Sequence, residues 1–173
     1  MSFDLARVRD GIHSDLSDWL EFNRAGAFES YEHLALAAPF PPPDRMQVTT
    51  GLTDPIAFAA HGHDIFKALS AASPQPLSDF ADVLDFGVGA GRLARMFKGF
   101  RGRYTGIDVD SNNVAWVART LKYVKAFHTK PRRAWPLEAR QFDYIVSISV
   151  FSHMCEKDHL FYLSEVARVA KPG

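Results

Sequence analysis

Hydrophobic residues recur at helical spacing in the first part of the chain. Apolar side chains three or four positions apart, with charged residues between them, predict an amphipathic helix over residues 3–22. A second pattern of this kind covers residues 31–38 and stops before Pro39. The four prolines between Pro39 and Pro43 predict a stiff, extended connector, because proline cannot continue a helix.

A third helix is predicted to begin after Asp54. An aspartate followed by Pro55 is typical of a helix start, since the carboxylate caps free N–H groups and proline fits the first turn. The helical pattern continues to Leu69 and ends in the segment 73–76. Residues 1–79 are therefore predicted to form a helical N-terminal extension or lid.

The pattern changes at residue 80, where short apolar runs begin to alternate with helical patterns. This alternation is typical of a parallel sheet with helices packed on it. The last apolar run, 144–150, is apolar almost throughout, so we expect a strand covered on both faces. In the helix after it we expect Leu160, Leu163, Val166 and Val169 to share one buried face. The predicted strands are 83–86, 104–107, 124–128 and 144–150, and the predicted helices are 92–97, 111–121 and 158–170.

Composition fits a single globular chain. The 173 residues are 47% hydrophobic, which excludes a disordered protein, and Cys155 is the single cysteine, which excludes a disulfide-rich scaffold. No run of 18 apolar residues occurs, and the first residues do not resemble a targeting segment. We therefore expect a cytoplasmic protein without a membrane-spanning segment.

Charge is balanced overall but divided along the chain. Residues 1–85 contain five Lys and Arg against thirteen Asp and Glu, whereas residues 92–140 contain twelve against three. The overall balance argues against a general polyanion-binding protein. Two interpretations of the division remain open: the acidic part lies against the basic part, or the basic surface attracts an acidic substrate or partner.

A glycine-rich turn joins the first strand to the next predicted helix. Gly87, Gly89 and Gly91 alternate with other residues, and a turn this tight requires positions without a Cβ. We expect the helix that begins at Arg92 to offer unpaired N–H groups to a carboxylate or phosphate. Because Arg92 replaces the third glycine of the dinucleotide fingerprint, the turn argues against a standard NAD or FAD site.

An acidic residue ends the second predicted strand. Asp108 follows Gly87 by twenty-one residues, a position suited to accept hydrogen bonds from the two hydroxyls of a ribose. An adenosine-containing ligand without a diphosphate agrees with both the turn and this acid. A glycine-rich turn of purely structural importance is the alternative.

These motifs resemble those of the class I S-adenosylmethionine-dependent methyltransferases. The resemblance is carried by residues 83–92, 106–108, 142–153 and 163–173, and it covers residues 80–173. It implies an α/β fold, a Rossmann-like three-layer sandwich with parallel strands in the order 3-2-1-4. It also implies S-adenosyl-L-methionine as the cofactor.

The same resemblance implies roles for individual residues. Asp108 would bind the ribose hydroxyls, Val109 would pack on the adenine face, and Asp85 would orient the ammonium group of the cofactor. Residues 127–130 contain no acid at the place where many relatives contact the adenine amino group, so no residue is assigned to that contact. The implied cofactor-binding residues are Asp85, Gly87, Gly89, Gly91, Asp108, Val109 and Ser149, the last through its backbone.

Three histidines are candidates for chemistry. His153 follows the fourth strand, where it could act as a general base on the acceptor or simply orient a loop. His61 could lie near the cofactor carboxylate. No third ligand with convincing spacing accompanies His61 and His63, so no metal site is predicted.

Two further pairs admit a functional and a structural interpretation. Trp116 and Trp135 could form an aromatic wall for the acceptor or pack within the core. Arg132 and Arg133 could bind an anionic acceptor or belong to a solvated loop.

Class I methyltransferases usually continue into a fifth strand and a closing antiparallel pair. Neither follows the helix 158–170, so the C-terminal strands are predicted to be missing and the fourth strand to lie at an edge. Such an edge needs a cover against aggregation. The N-terminal helices, a homodimer partner or a missing C-terminal segment are the candidates.

The predicted function is methyl transfer from S-adenosylmethionine to an unidentified, small-molecule acceptor. The alternative is a non-catalytic methyltransferase-like module that binds the cofactor or a partner. A nucleic-acid methyltransferase is disfavoured, because residues 149–152 read Ser-Val-Phe-Ser where such enzymes carry a motif of the Asn-Pro-Pro-Tyr kind.

Overall fold

The structure, a computed structural model, describes residues 3–172 and contains a parallel four-stranded sheet. Gly173, the last residue of the sequence resemblance, lies outside the described residues. The strand order β3-β2-β1-β4 confirms the predicted Rossmann-like topology. Its strands are β1 (Asp82–Phe86), β2 (Arg103–Asp108), β3 (Val124–His128) and β4 (Tyr144–Ser147).

Helices precede the sheet and lie on both of its faces. The predicted start at Asp54 is confirmed, because its carboxylate accepts a hydrogen bond from the backbone N–H of Ala57 at 2.7 Å. The helices are α1 (Leu16–Arg24), α2 (Tyr31–Leu36), α3 (Pro43–Thr50), α4 (Pro55–Ala72), α5 (Ser111–Thr120) and α6 (Glu156–Val169).

The prediction of one helix over residues 3–22 is wrong. Two 3-10 turns, Leu5–Val8 and Gly11–His13, precede α1. Gly11 has a φ of +59°, and a Cβ there would overlap the carbonyl oxygen of Lys98. Because the neighbouring Ile12 N–H donates to that same oxygen at 2.9 Å, contact with the core breaks the helical pattern.

Helix α3 lies partly where the proline-rich segment predicted only an extended connector. It begins at Pro43 and ends at Gly51, which has a φ of +76°. Proline in the first turn and a left-handed glycine after the last are common helix boundaries. That pair of residues is the sequence signal that could have identified α3.

The predicted helix over residues 92–97 is also wrong. Only a 3-10 helix, Ala94–Phe97, lies between β1 and β2. Gly91 and Gly99 both have a φ of +85°, so the chain reverses on both sides of this short segment. Without a regular helix, the expected dipole at its N-terminus is absent from this connection.

Strand β4 and helix α6 differ from prediction in length and in burial. Strand β4 ends at Ser147, and the side chains of Leu160 and Leu163 on α6 are 65% and 53% exposed. The prediction is correct for Val169, which is buried, and for Val166, which packs against the cluster under α6. The other buried residues of α6 are Tyr162 and Glu165. Glu165 fixes this orientation, because its carboxylate accepts a hydrogen bond from the Trp135 backbone at 2.6 Å.

The N-terminal helices are tied to the sheet by buried donors. Arg95 donates to the carbonyl oxygens of Ala38 and Pro39, both at 3.0 Å, and its guanidinium lies 3.5 Å from the centre of the Phe40 ring. Burial lowers the pKa of Arg95 to about 9. At this junction, therefore, a basic side chain contacts backbone carbonyls rather than acidic side chains.

The sheet has a hydrophobic cluster on each face. Phe97 and Tyr104 belong to the cluster that faces the N-terminal helices, whereas Phe86, Trp135 and Tyr162 belong to the cluster under α6. Within residues 3–172, no helix is long and apolar enough to cross a membrane.

Candidate functional site

A cavity of about 890 Å³ lies where β1, β2 and β4 end. In parallel sheets of this kind, ligands bind at the carboxyl ends of the strands, next to the point where the strand order reverses. Its wall contains residues from both parts of the chain. They are Val48, Thr49, Thr50, Gly51, His61, Phe86, Gly87, Gly89, Arg92, Asp108, Val109, Asp110, Asn113, Pro131, Arg132, Ile148, Ser149, Val150, His153, Met154, Asp158 and Tyr162.

The glycine-rich turn forms the floor of this cavity, and its N–H groups are used within the protein. Those of Gly87 and Val88 donate to the carbonyl oxygen of Ile107 at 2.9 and 3.1 Å. The N–H of Gly89 donates to Asp108 at 2.7 Å, and the N–H of Ala90 donates to Thr49 on α3. The N–H groups of residues 87–90 are therefore not free to bind an anion. The helix at Arg92, which was expected to offer free N–H groups, is replaced by the 3-10 helix Ala94–Phe97.

Close approach of other elements explains the glycines. Gly87 has a φ of +86°, and a Cβ there would overlap the side chain of Val150. Gly89 has a φ of +53°, and its Cβ would lie 2.6 Å from the methyl carbon of Thr49 on α3. The hydroxyl of Thr49 also accepts the Ala90 N–H at 3.0 Å, so α3 is fixed directly against the turn.

Asp108 connects the turn to helix α5. Its Oδ2 accepts the Gly89 N–H at 2.7 Å and its Oδ1 accepts the Asp110 N–H at 2.8 Å. Each carboxylate oxygen has a second lone pair, so Asp108 retains capacity for ligand hydroxyls. Val109 follows it in the cavity wall with 53% of its surface exposed, which gives an apolar surface beside the carboxylate.

Asp85 and Gly91 lie behind the cavity wall rather than in it. Asp85 is 3% exposed and accepts a hydrogen bond from the Tyr104 hydroxyl at 2.8 Å. Burial raises its pKa to about 7, the Tyr104 hydrogen bond opposes this rise, and the charge of Asp108 adds to it. Gly91 faces the core, where a Cβ would lie 2.8 Å from Leu121.

Arg92 and His61 form a pair in the cavity wall. The guanidinium of Arg92 lies 3.0 Å from Nδ1 of His61, which can accept its N–H. Burial lowers the pKa of both groups, Asp85 partly opposes this for Arg92, and the guanidinium lowers the pKa of His61 further. Within residues 3–172 no carboxylate forms an ion pair with Arg92.

Glycine also permits this pairing. A Cβ at Gly62, next to His61 on α4, would lie 2.9 Å from the carbonyl oxygen of Arg92. The sequence drew attention to Arg92 only as the residue that replaces a glycine. Its position toward the cavity depends on how closely α4 packs against the turn.

The far side of the cavity follows β4. Ser149 lines it with a φ of +59°, an uncommon conformation for a residue with a Cβ and one that concentrates at functional sites. His153 lines it from the 3-10 turn Phe151–His153 and is exposed. Arg132 lines it as well and forms an ion pair with Asp158, whereas its neighbour Arg133 is not among the lining residues.

The two tryptophans pack away from the cavity. Trp135 is buried, with its ring centre 4.8 Å from that of Phe86, and Trp116 packs against the core on the other face. The functional interpretation of this pair as an acceptor wall is therefore wrong. Among the described residues, no group of three His, Cys, Asp or Glu side chains is placed to hold a metal ion.

Sequence reasoning did not single out two polar residues that line the cavity, Thr49 and Asn113. Thr49 belongs to the helix that the sequence analysis missed. Asn113 lies in the first turn of α5 and is buried. The available signal for Asn113 was a polar residue on the face of α5 that Val114 and Val117 bury in the core.

Comparison with known proteins identifies relatives of the sheet region. A family model described as a methyltransferase domain matches residues 83–173. The PH0226 protein from Pyrococcus horikoshii shares the fold with a TM-score of 0.54 and 20% identity, over 63% of this chain and 53% of that one.

Two further structures share the fold. SAM-bound CalS10 from Micromonospora echinaspora, an amino pentose methyltransferase involved in calicheamicin biosynthesis, has a TM-score of 0.52 and 20% identity, over 67% of this chain and 48% of that one. The [4+2]-cyclase SpnF has a TM-score of 0.53 and 23% identity, over 64% and 42%. The chain thus spans about half the length of the structures that it matches.

Proposed function

Because the chain belongs to the methyltransferase domain family, we propose that it binds S-adenosylmethionine in the cavity and transfers the methyl group to a small molecule. The position of the cavity is the observation that carries this proposal. It lies at the ends of β1, β2 and β4, with the glycine-rich turn as its floor and Asp108 at its side. Its volume of about 890 Å³ falls in the range usual for small-ligand sites.

The nucleoside part of the cofactor fits the wall formed by the end of β2. Asp108 has free lone pairs for the two ribose hydroxyls, and the exposed surface of Val109 offers an apolar face for the base. Gly87 and Gly89 keep the floor free of side chains at this point. We assign these four residues to cofactor binding.

The methionyl part fits the wall formed by Arg92. A guanidinium that is partly buried without a carboxylate partner suits the α-carboxylate of an amino acid, because charge-assisted pairs of this kind are strong. His61 orients Arg92 by accepting one of its N–H groups. Asp85 and Gly91 support this wall from behind, and we assign the carbonyl oxygen of Ser149 to the ammonium group of the ligand.

Bound S-adenosylmethionine supplies a methyl carbon that its sulfonium charge already activates. The protein then contributes mainly by positioning and by excluding water. We assign proton acceptance from the acceptor to His153, because it lines the cavity, follows β4 and is exposed.

Calorimetric titration with S-adenosylhomocysteine tests cofactor binding. We expect binding by the wild-type chain and at least a tenfold loss in Asp108→Ala, because the variant removes a charged hydrogen-bond acceptor. Asp79→Ala is the matched control, since Asp79 is exposed and lies outside the cavity wall. Absence of binding by a folded wild-type chain would contradict the proposal.

Transfer of labelled methyl groups to small molecules of a cell extract tests turnover. If the chain is a methyltransferase, we expect labelled product. The His153→Asn variant should form this product at least about a hundredfold more slowly, with unchanged affinity for S-adenosylhomocysteine. Binding without any labelled product would favour the alternative, a non-catalytic cofactor-binding module. The comparison is needed because SpnF, which shares the fold, is described as a [4+2]-cyclase and not as a methyltransferase.

A further inference from the structure

Asn113 lies in the cavity wall, and its side-chain oxygen has no hydrogen-bond partner among the described residues. The residue is 3% exposed, and its Oδ1 is sealed from solvent without a hydrogen-bond partner in residues 3–172. Native proteins pair nearly all buried polar atoms, because an unpaired one destabilises the fold. A buried amide oxygen without a partner, on a residue that lines a ligand cavity, therefore favours a ligand as the source of the hydrogen-bond donor.

The local structure fixes where this amide lies. The carboxylate of Asp110 caps α5 and accepts the N–H groups of Asn112 at 2.8 Å and Asn113 at 3.2 Å. This cap holds the first turn of the helix directly after Asp108 and Val109. Asn113 therefore lines the cavity close to Asp108 and Val109, the residues assigned to the nucleoside.

The chemistry of the amide narrows the class of ligand. A carboxamide carries an acceptor oxygen beside an NH2 donor, so its full partner must offer a donor beside an acceptor. A carboxylate or phosphate offers acceptors only and would leave Oδ1 unpaired. Adenine offers an amino group next to a ring nitrogen, and asparagine pairs with adenine through two hydrogen bonds.

We propose that Asn113 recognises the adenine base of the cofactor. Its carboxamide oxygen accepts a hydrogen bond from the 6-amino group, and its NH2 donates to the neighbouring ring nitrogen. The inference rests on the proposed function, since it assumes a nucleoside in the cavity. It provides the adenine contact for which residues 127–130 supply no acid.

An analogue of S-adenosylhomocysteine that lacks only the 6-amino group of adenine tests this contact. Calorimetry compares S-adenosylhomocysteine with the analogue in which hydrogen replaces the 6-amino group, for the wild type, Asn113→Leu and Asn112→Leu. We expect the wild type to bind the amino form about tenfold more tightly, the effect of about one hydrogen bond. Asn113→Leu should bind both forms within about twofold of each other.

Asn112→Leu is the matched control. Asn112 lies on the same turn but is exposed and outside the cavity wall, so this variant should keep the wild-type preference. Thermal unfolding without ligand gives an independent measurement. Asn113→Leu should unfold at a higher temperature than the wild type, because leucine removes a buried, unpaired amide.

The outcomes separate this inference from the proposed function. If the wild type binds both forms equally, or if Asn113→Leu keeps the tenfold preference, Asn113 does not contact the amino group of adenine. The proposal that the cavity binds the cofactor is unaffected by either result. If the folded wild type binds neither form, both proposals are overturned.

Discussion

Asp85 is a carboxyl group held in the interior directly behind the glycine-rich turn. Its burial raises its pKa to about 7, from an ordinary value of 3.8 that the unfolded chain retains. Between these two pH values the folded state binds a proton that the unfolded state does not. The free energy of unfolding therefore falls as the pH rises through this window, and it levels off above about pH 7.

Asp85→Asn should remove this dependence on pH. Asparagine is neutral throughout, and its amide oxygen can still accept the hydrogen bond that Tyr104 donates. Relative to the variant, the wild type should lose up to about 1.4 kcal/mol of unfolding free energy for each pH unit inside the window. Urea unfolding of both proteins from about pH 5 to about pH 8 measures this, and parallel profiles would contradict it.

At the scale of elements, helix α3 completes the cavity. The sequence analysis predicted no helix between the proline-rich connector 39–43 and Asp54, yet Thr49 near the end of α3 contacts the glycine-rich turn through both its methyl and hydroxyl groups. The helix therefore contributes Val48, Thr49 and Thr50 to the cavity wall. The site thus depends on an element outside residues 83–173, which the family model matches.

Thr49→Val should reduce stability, because it leaves the backbone N–H of Ala90 without its acceptor while it conserves the shape of the side chain. We expect a loss of about 1–3 kcal/mol in the free energy of unfolding. Thr49→Ser keeps the hydroxyl and is the control. Equal stability of the valine and serine variants in urea unfolding would show that this hydrogen bond does not hold α3 on the turn.

At the scale of the molecule, Arg95 joins the N-terminal helices to the sheet. It lies in the 3-10 helix after the glycine-rich turn and donates to the carbonyl groups of Ala38 and Pro39, which follow α2. The indole N–H of Trp19 on α1 donates to Met96 at 2.9 Å beside it. The two parts of the chain therefore share one core, although their sequence patterns differ.

Arg95→Gln should destabilise the whole chain rather than loosen its first part alone. The variant removes the guanidinium from the buried carbonyl group of Ala38 and from that of Pro39, and we expect a loss of about 2–4 kcal/mol with a single unfolding transition. Arg101→Gln is the control, because Arg101 is exposed on the neighbouring turn. Two separate transitions in urea, followed by fluorescence and circular dichroism, would show instead that the N-terminal part unfolds independently.

The far edge of the sheet has a partial cover. Phe142 forms a parallel bridge with Ala170, directly after α6, so the start of β4 is paired on that side. Beyond this bridge, the described residues add no strand to β4. A homodimer partner or a further C-terminal segment that covers the edge of β4 stays a prediction.

Much of the sheet followed from the sequence, because its signals are local. The run Val83–Phe86, the position of Asp108 and the cap at Asp54 each depend on neighbours a few residues away, and all three were correctly placed. The prediction for α6 was wrong at Leu160 and Leu163 and missed Glu165, because side-chain burial there depends on residues distant in sequence. Glu165 is polar in sequence, and only its hydrogen bond to Trp135 shows why it lies inside.

The sequence by itself determined the alternation of strands and helices and the turn that forms the cavity floor, since periodicity and glycine spacing are properties of short segments. The strand order followed from the family resemblance and is confirmed by the structure. Only the tertiary structure decided which side chains face the cavity. Gly91 and Asp85 lie behind it, whereas Thr49, Arg92 and Asn113 line it. The physical reason is that side-chain orientation depends on contacts between segments far apart in the chain, such as Thr49 with Ala90 and His61 with Arg92.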